Sequence, residues 1–137
     1  MLKKQHRLST DYEFNITRKY GKNLVSKYFY LYVLKPQNYD GPPKIGIIVS
    51  NKFDKSAAKR NRIKRVYREI IRNNLDKIPS NLWIIVYPKT ISREAEYEEI
   101  NTEFTDILQK EFISGQVRNK DMQVWTKLFQ VYFRSNK

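Results

Sequence analysis

Apolar side chains recur along this chain at two different spacings, and the changes between them mark out its elements. Thr10 and Glu13 stand at capping-box spacing, where each side chain satisfies an orphan backbone donor. A short helix is therefore predicted over residues 11–20, with Gly21 as a permissive residue at its end. Residues 24–34 alternate instead. Tyr28, Tyr30 and Tyr32 fall on one side of an extended chain and Phe29, Leu31 and Val33 on the other, which predicts one strand with two different faces. After a break at Asp40-Gly41-Pro42-Pro43, Ile45-Gly46-Ile47-Ile48-Val49 reads as a second, more fully buried strand.

Between Ser56 and Leu75 the period lengthens, and Ile63, Val66, Tyr67, Ile70, Ile71 and Leu75 share one helical stripe. Pro79 follows that helix. Leu82-Trp83-Ile84-Ile85-Val86 is a further strand, and Tyr97, Ile100, Phe104, Ile107, Leu108 and Phe112 mark an acidic amphipathic helix starting near Ser92. The order is αββαβα. Two buried strands flanking a helix imply a βαβ crossover with parallel pairing, hence an α/β sandwich with helices on at least one face of a central sheet. No repeat or flexible linker divides the chain. Residues 1–112 are expected to form one domain. Residues 113–137 form a C-terminal extension, read as a helix on the body because Met122, Trp125, Leu128, Phe129 and Tyr132 have helical spacing after Asp121.

Charge sharpens this picture. The 137 residues carry a formal net charge of +13, with 27 Lys and Arg against 14 Asp and Glu. Residues 1–75 hold 18 of the cations and 5 of the acids, while the remainder holds 9 of each. Solubility gives no reason for so one-sided a distribution, whereas a docking surface for phosphates does. Cysteine is absent, which excludes disulfides and thiolate chemistry. The basic start runs into Ser9, Thr10 and Asp11, so it lacks the apolar region of a secretory signal, and the longest apolar run falls far short of a bilayer. A soluble cytoplasmic protein without a membrane partner is expected.

The cations concentrate on the helix that begins near Ser56. At about 100° per residue, Asn61, Arg65, Arg68 and Arg72 fall within roughly 60° of one another, opposite Ile63 and Ile70. Arg60, Arg62 and Lys64 flank this face, and Lys52 and Lys55 extend the field upstream. Guanidinium forks suit two phosphate oxygens or a base edge. Glu69 can neutralise Arg65 or Arg72 but offsets little of the total, so a merely solvated face explains the cluster poorly. A membrane surface or an acidic partner would also attract such a helix, yet its apolar stripe is needed to cover the sheet.

Beside it, Tyr28, Tyr30 and Tyr32, with Phe14 from the first helix, suit either core packing or a platform for unstacked bases. Protein-borne catalysis lacks its parts. The one histidine, His6, reads as a surface residue in a mobile N-terminal segment, and Glu98 and Glu99 are neighbours that diverge on a helix. No glycine-rich phosphate loop is present, and no metal ligands can be assigned.

The succession of short helix, aromatic strand, Ile-Gly-Ile-Ile-Val-Ser-Asn-Lys and Lys-Arg-Asn-Arg-Ile-Lys-Arg-Val-Tyr-Arg resembles the protein component of bacterial ribonuclease P over about residues 4–112. The resemblance implies an α/β sandwich with a left-handed βαβ crossover, where general rules favour a right-handed one. It implies that Arg60, Asn61, Arg62, Lys64, Arg65 and Arg68 contact the catalytic RNA, and that Phe14, Tyr30 and Tyr32 receive the 5′ leader of precursor tRNA. The endonucleolytic step of tRNA 5′ maturation would then belong to the RNA and its Mg²⁺, with no catalytic side chain and no small-molecule cofactor in the protein. A non-catalytic RNA-binding module of ribosomal or chaperone-like type is the alternative. This chain departs from the family in three places. Arg18 stands where many members have a second cleft aromatic, the loop Phe53-Asp54-Lys55-Ser56-Ala57-Ala58 lacks the usual glycine and is one residue longer, and the tail is longer than usual.

Overall fold

The computed structural model describes residues 2–113, so the extension and its expected helix lie outside the described residues. Helix α1 spans Asp11–Tyr20, followed by strands β1 (Lys22–Val25), β2 (Phe29–Leu34) and β3 (Lys44–Ile47). Helix α2 spans Ala57–Asn73, strand β4 Trp83–Pro88 and helix α3 Tyr97–Leu108, which runs on into a wider turn over Gln109–Ile113. The four strands form one mixed sheet in the order β1-β2-β4-β3. Strands β3 and β4 are parallel neighbours, as the crossover through α2 requires, and β2 pairs antiparallel with both β1 and β4.

The α+β class therefore stands, with one strand more than the sequence pattern suggested. Residues 24–34 are a hairpin and not a single strand. The Ser26 N–H donates to the Phe29 carbonyl at 2.8 Å, reversing the chain through Lys27 and Tyr28 and bringing Leu24 opposite Leu31. Alternation along β2 sends Phe29, Leu31 and Val33 into the core, where Phe29 meets Tyr67 of α2 and Phe104 of α3. Tyr30 and Tyr32 face the other way, toward α1. Helix α1 thus covers one face of the sheet, and α2 and α3 cover the opposite face.

Local chemistry fixes the helices. Thr10 and Glu13 form the expected reciprocal capping box. Gly21 is required for a different reason than a left-handed turn: its φ is −73°, but a Cβ there would collide with the Thr17 carbonyl oxygen. In α2 the stripe Ile63, Tyr67, Ile70 and Ile71 is buried, and Leu75 falls in a separate short turn after the helix ends. Ser92 does not cap α3. It is buried in a 3-10 turn with its hydroxyl donating to the Lys89 carbonyl, and Glu96 with Glu99 makes the capping pair. The N-terminal segment is packed, contrary to the expectation for His6. Leu2 and Leu8 are buried, His6 Nδ1 donates to the Pro43 carbonyl at 3.2 Å, and Arg7 bridges to Ile45 at the edge of β3. Among the described residues no helix is long and apolar enough to cross a membrane.

Candidate nucleic-acid interface

Helix α2 presents its cations because its other side is committed to the core. Ser56 caps it, accepting from the Lys59 N–H, while Asp54 accepts from the Ser56 N–H at 2.9 Å. That hydrogen bond, opposed by some burial and aided by Lys59 and Arg93, holds the Asp54 carboxyl below its usual range. Asn61, Arg62, Arg65 and Arg72 are exposed, and Arg60, Lys64 and Arg68 are half-buried. Lys52 and Lys55 are exposed upstream. Arg72 pairs with Glu69. Among the described residues, Lys64, Arg65 and Arg68 have no ion pair, so the centre of the row keeps its charge.

Two residues of this row do something the helical wheel could not reveal. Arg60 Nη1 donates to the carbonyls of Asp54 at 2.7 Å and Lys55 at 2.9 Å, so part of its fork ties the preceding loop to the helix. Arg62 turns to the flank of α2, where it joins Lys59, Phe53, Ile63, Val66 and Arg93 around a cavity of about 400 Å³. Arg93 reaches Asp54 across it at 3.6 Å.

The aromatic face lies across the sheet, under α1. Tyr30 stands directly opposite Tyr87 in the β2–β4 register, with ring centroids 4.8 Å apart and planes within 6° of parallel. Tyr32 meets Tyr87 edge-on at 5.8 Å. All three rings are half-buried, so they are neither core nor fully open. The Tyr87 hydroxyl is pushed above its usual pKa by burial, against the opposing pull of the Arg18 guanidinium beside it. Arg18 itself is exposed and donates to Asn15 Oδ1 at 2.8 Å. Phe14 lies further along α1, its ring on Gly46 of β3. A Cβ at Gly46 would sit 2.5 Å from Phe14 Cζ, so glycine is what lets the ring approach the strand.

Tyr28 does not belong to this face. It sits in the hairpin turn, only 6% exposed, with its hydroxyl donating to Glu99 at 2.7 Å and its backbone carbonyl accepting from the Tyr67 hydroxyl at 3.1 Å. The physical reason is the reversal at Ser26: strand alternation does not carry through a turn, so Tyr28 is directed to α3. In its place stands Tyr87, which the sequence reading passed over. The signal was present in the two-residue period of β4, where Tyr87 shares a face with Ile85.

A small α+β domain with a row of mostly unpaired cations on one helix and a cluster of half-buried tyrosine rings across the sheet belongs to the class of basic mixed-sheet sandwiches. Residues 2–111 match the family model described as Ribonuclease P, and the chain belongs to that family. The ribonuclease P protein component of Clostridioides difficile is 32% identical over 108 residues, covering 78% of this chain and 92% of the relative. That of Thermotoga maritima is 39% identical over 94 residues, covering 68% of this chain and 78% of the relative. Among solved structures, the RNase P protein from Thermotoga maritima superimposes with a TM-score of 0.67 at 30% identity, covering 76% of this chain and 96% of that one. The Staphylococcus aureus RNase P protein superimposes equally well, with a TM-score of 0.67 at 25% identity over 77% of this chain and 94% of that one. Family membership implies an RNA partner and a part in the processing of tRNA.

Proposed function

We propose that this chain is the protein partner of a catalytic RNA, and that it helps that RNA remove the 5′ leader of precursor tRNA in the cytoplasm. The α2 face carrying Asn61, Lys64, Arg65 and Arg68 docks on the RNA. The cleft under α1, formed by Phe14, Tyr30, Tyr32 and Tyr87 with Arg18 at its rim, takes the single-stranded leader. One observation carries this reading: Tyr30, Tyr32 and Tyr87 are half-buried on one another, with the exposed Arg18 guanidinium, which no acid pairs, beside them. Stacking of unpaired bases on such rings contributes about 1–3 kcal/mol per base and tolerates any sequence, as a leader shared by many tRNAs demands.

The cleft side chains offer phenols, a phenyl ring and one guanidinium group, and no carboxylate among them, so the cleft does not suit a divalent ion. In this reading Mg²⁺ and the hydrolytic step stay with the RNA, and the protein holds the substrate. The test is affinity for precursor tRNA against mature tRNA, measured with the protein bound to its RNA. Tighter binding of the precursor, lost when the leader is shortened, is the expected result. Equal affinities would instead favour a general RNA-binding module.

A further inference from the structure

The cavity of about 400 Å³ beside α2 lies between the first turns of that helix, the loop that precedes it and the 3-10 turn over Thr90–Glu94. Among the described residues none from α1, β1 or β2 lines it, so it is separate from the aromatic cleft. Both of its walls are tied down. Arg60 fastens the loop to α2 through the carbonyls of Asp54 and Lys55. Buried Ser92 holds the turn, its hydroxyl donating to the Lys89 carbonyl at 2.6 Å and its carbonyl accepting from the Ala95 N–H at 3.3 Å. A preformed hollow of this size falls within the range of about 300–1,000 Å³ found for small-molecule sites.

Its lining sets the chemistry of what fits. Lys59, Arg62 and Arg93 bring cations to it, and Asp54 and Glu94 bring carboxylates. Asp54 is already committed: Oδ1 accepts from the Ser56 N–H at 2.9 Å, Oδ2 faces Arg93 Nη1 at 3.6 Å, and only 12% of the side chain is exposed. That separation is longer than a direct hydrogen bond, so the Arg93 fork keeps its N–H groups for another acceptor. Among the described residues the side chains of Lys59, Arg62 and Glu94 have no hydrogen bond or ion pair. Phe53, Ile63, Val66 and Ala95 form an apolar floor. An occupant that satisfies all of these groups carries a phosphate for the cations, a flat apolar body for the floor and a hydrogen-bond donor for Glu94, whose carboxylate can only accept. A long polyanion fits poorly, because its flanking phosphates would meet the charge of Glu94 and Asp54.

We propose that this cavity binds a free nucleoside monophosphate, with the phosphate held by Lys59, Arg62 and Arg93, the base against Val66 and Ala95, and a ribose hydroxyl or base amino group donating to Glu94. The site is a small-molecule site, distinct from the surfaces assigned to RNA, and it stands or falls independently of them.

The test uses the full chain with adenosine monophosphate as the probe, followed by titration calorimetry and by the methyl resonances of Val66 and Ala95. Both resonances should shift on titration. Adenosine and inorganic phosphate, which each make only part of the contacts, should bind at least about tenfold more weakly than the nucleotide. Arg93→Gln should weaken nucleotide binding roughly tenfold, as for loss of a charge-assisted hydrogen bond, and Ala95→Leu, which fills the hollow, should abolish it. Thermal melts show whether the variants fold, and the Val66 and Ala95 shifts report on the cavity of the unaltered chain without any substitution. Inorganic phosphate binding as tightly as the nucleotide would reduce the site to an adventitious ion only and overturn the proposal. Unmoved Val66 and Ala95 resonances overturn it too, as does a normally melting Arg93→Gln protein with unchanged affinity. A short single-stranded RNA oligonucleotide should leave Ala95 unmoved. If the oligonucleotide shifts Ala95 and the free nucleotide does not, the cavity belongs to the RNA interface and the proposal falls.

Discussion

Tyr30 on β2 and Tyr87 on β4 form a parallel stack across neighbouring antiparallel strands, with centroids 4.8 Å apart. The stack uses one face of each ring, and Tyr32 closes its end edge-on. Arg18 on α1 faces this stack from the helix, at the position where the family resemblance leads one to expect a second helical aromatic. The cleft of this chain thus takes its additional ring from a strand.

Replacing Tyr87 with Ala should therefore weaken leader-dependent binding of precursor tRNA by about 1–3 kcal/mol, the worth of one base stack, while leaving affinity for mature tRNA unchanged. Tyr28→Phe should do the reverse. It removes the hydroxyl that donates to Glu99 and should cost stability by about 1 kcal/mol with no change in leader affinity. Paired binding and urea-denaturation measurements on the two variants separate the roles. A leader defect in Tyr28→Phe would contradict the placement of that ring.

Arg60 and Arg65 look equivalent in the sequence and are not equivalent in the fold. Arg65 is exposed without an ion pair, so Arg65→Ala should flatten the double-logarithmic salt dependence of single-strand RNA binding by about 0.7 and leave the melting midpoint in place. Arg60 bonds two loop carbonyls, so Arg60→Ala should also lower stability by about 1–2 kcal/mol. Melting curves and salt titrations of both proteins check the contrast. Identical melting midpoints would show that the loop contacts contribute nothing.

Much of this architecture is legible in the sequence because it follows from periodicity. The α2 stripe from Ile63 to Ile71, the Thr10–Glu13 capping box and the parallel β3–β4 pair all rest on spacing alone. What escaped depends on turns and on tertiary reach. A tight hairpin turn without glycine or asparagine hides inside an apparently continuous aromatic strand, and that is what misplaced Tyr28. The docking of His6 on Pro43 and of Arg7 on Ile45 of β3 joins segments far apart in the chain, so no local pattern announces it. Tyr87 was readable from alternation in β4, but only the β2–β4 register makes it a neighbour of Tyr30.

Gly46 and Phe14 provide a packing test. Gly46→Ala places a methyl 2.5 Å from Phe14 Cζ, against Leu8 Cβ at 3.3 Å, and should destabilise the fold by about 1–3 kcal/mol through overpacking. Adding Phe14→Leu should recover a good part of that loss, since the offending atoms belong to the ring and not to the backbone. Thermal denaturation of the single and double variants measures the recovery. Purely additive losses would mean that the ring is not what the methyl meets.

Glu13 makes the fold sensitive to acid. Burial alone would raise its pKa, but the N–H groups of Ser9 and Thr10, each 3.0 Å from Oε1, and Lys44 at 3.2 Å outweigh it and lower the value from 4.5 to about 2. The folded value lies below the unfolded one, so the carboxylate stabilises the protein above about pH 4.5, and that stabilisation is lost as the pH falls toward about 2. The full effect is on the order of 3 kcal/mol. Urea midpoints should fall steeply from about pH 4.5 down to about pH 2. In Glu13→Gln the curve should start lower and run flatter, because the side chain no longer titrates while α1 keeps an uncharged acceptor at its N-terminus. An equally steep acid response in that variant would assign the effect to other carboxylates.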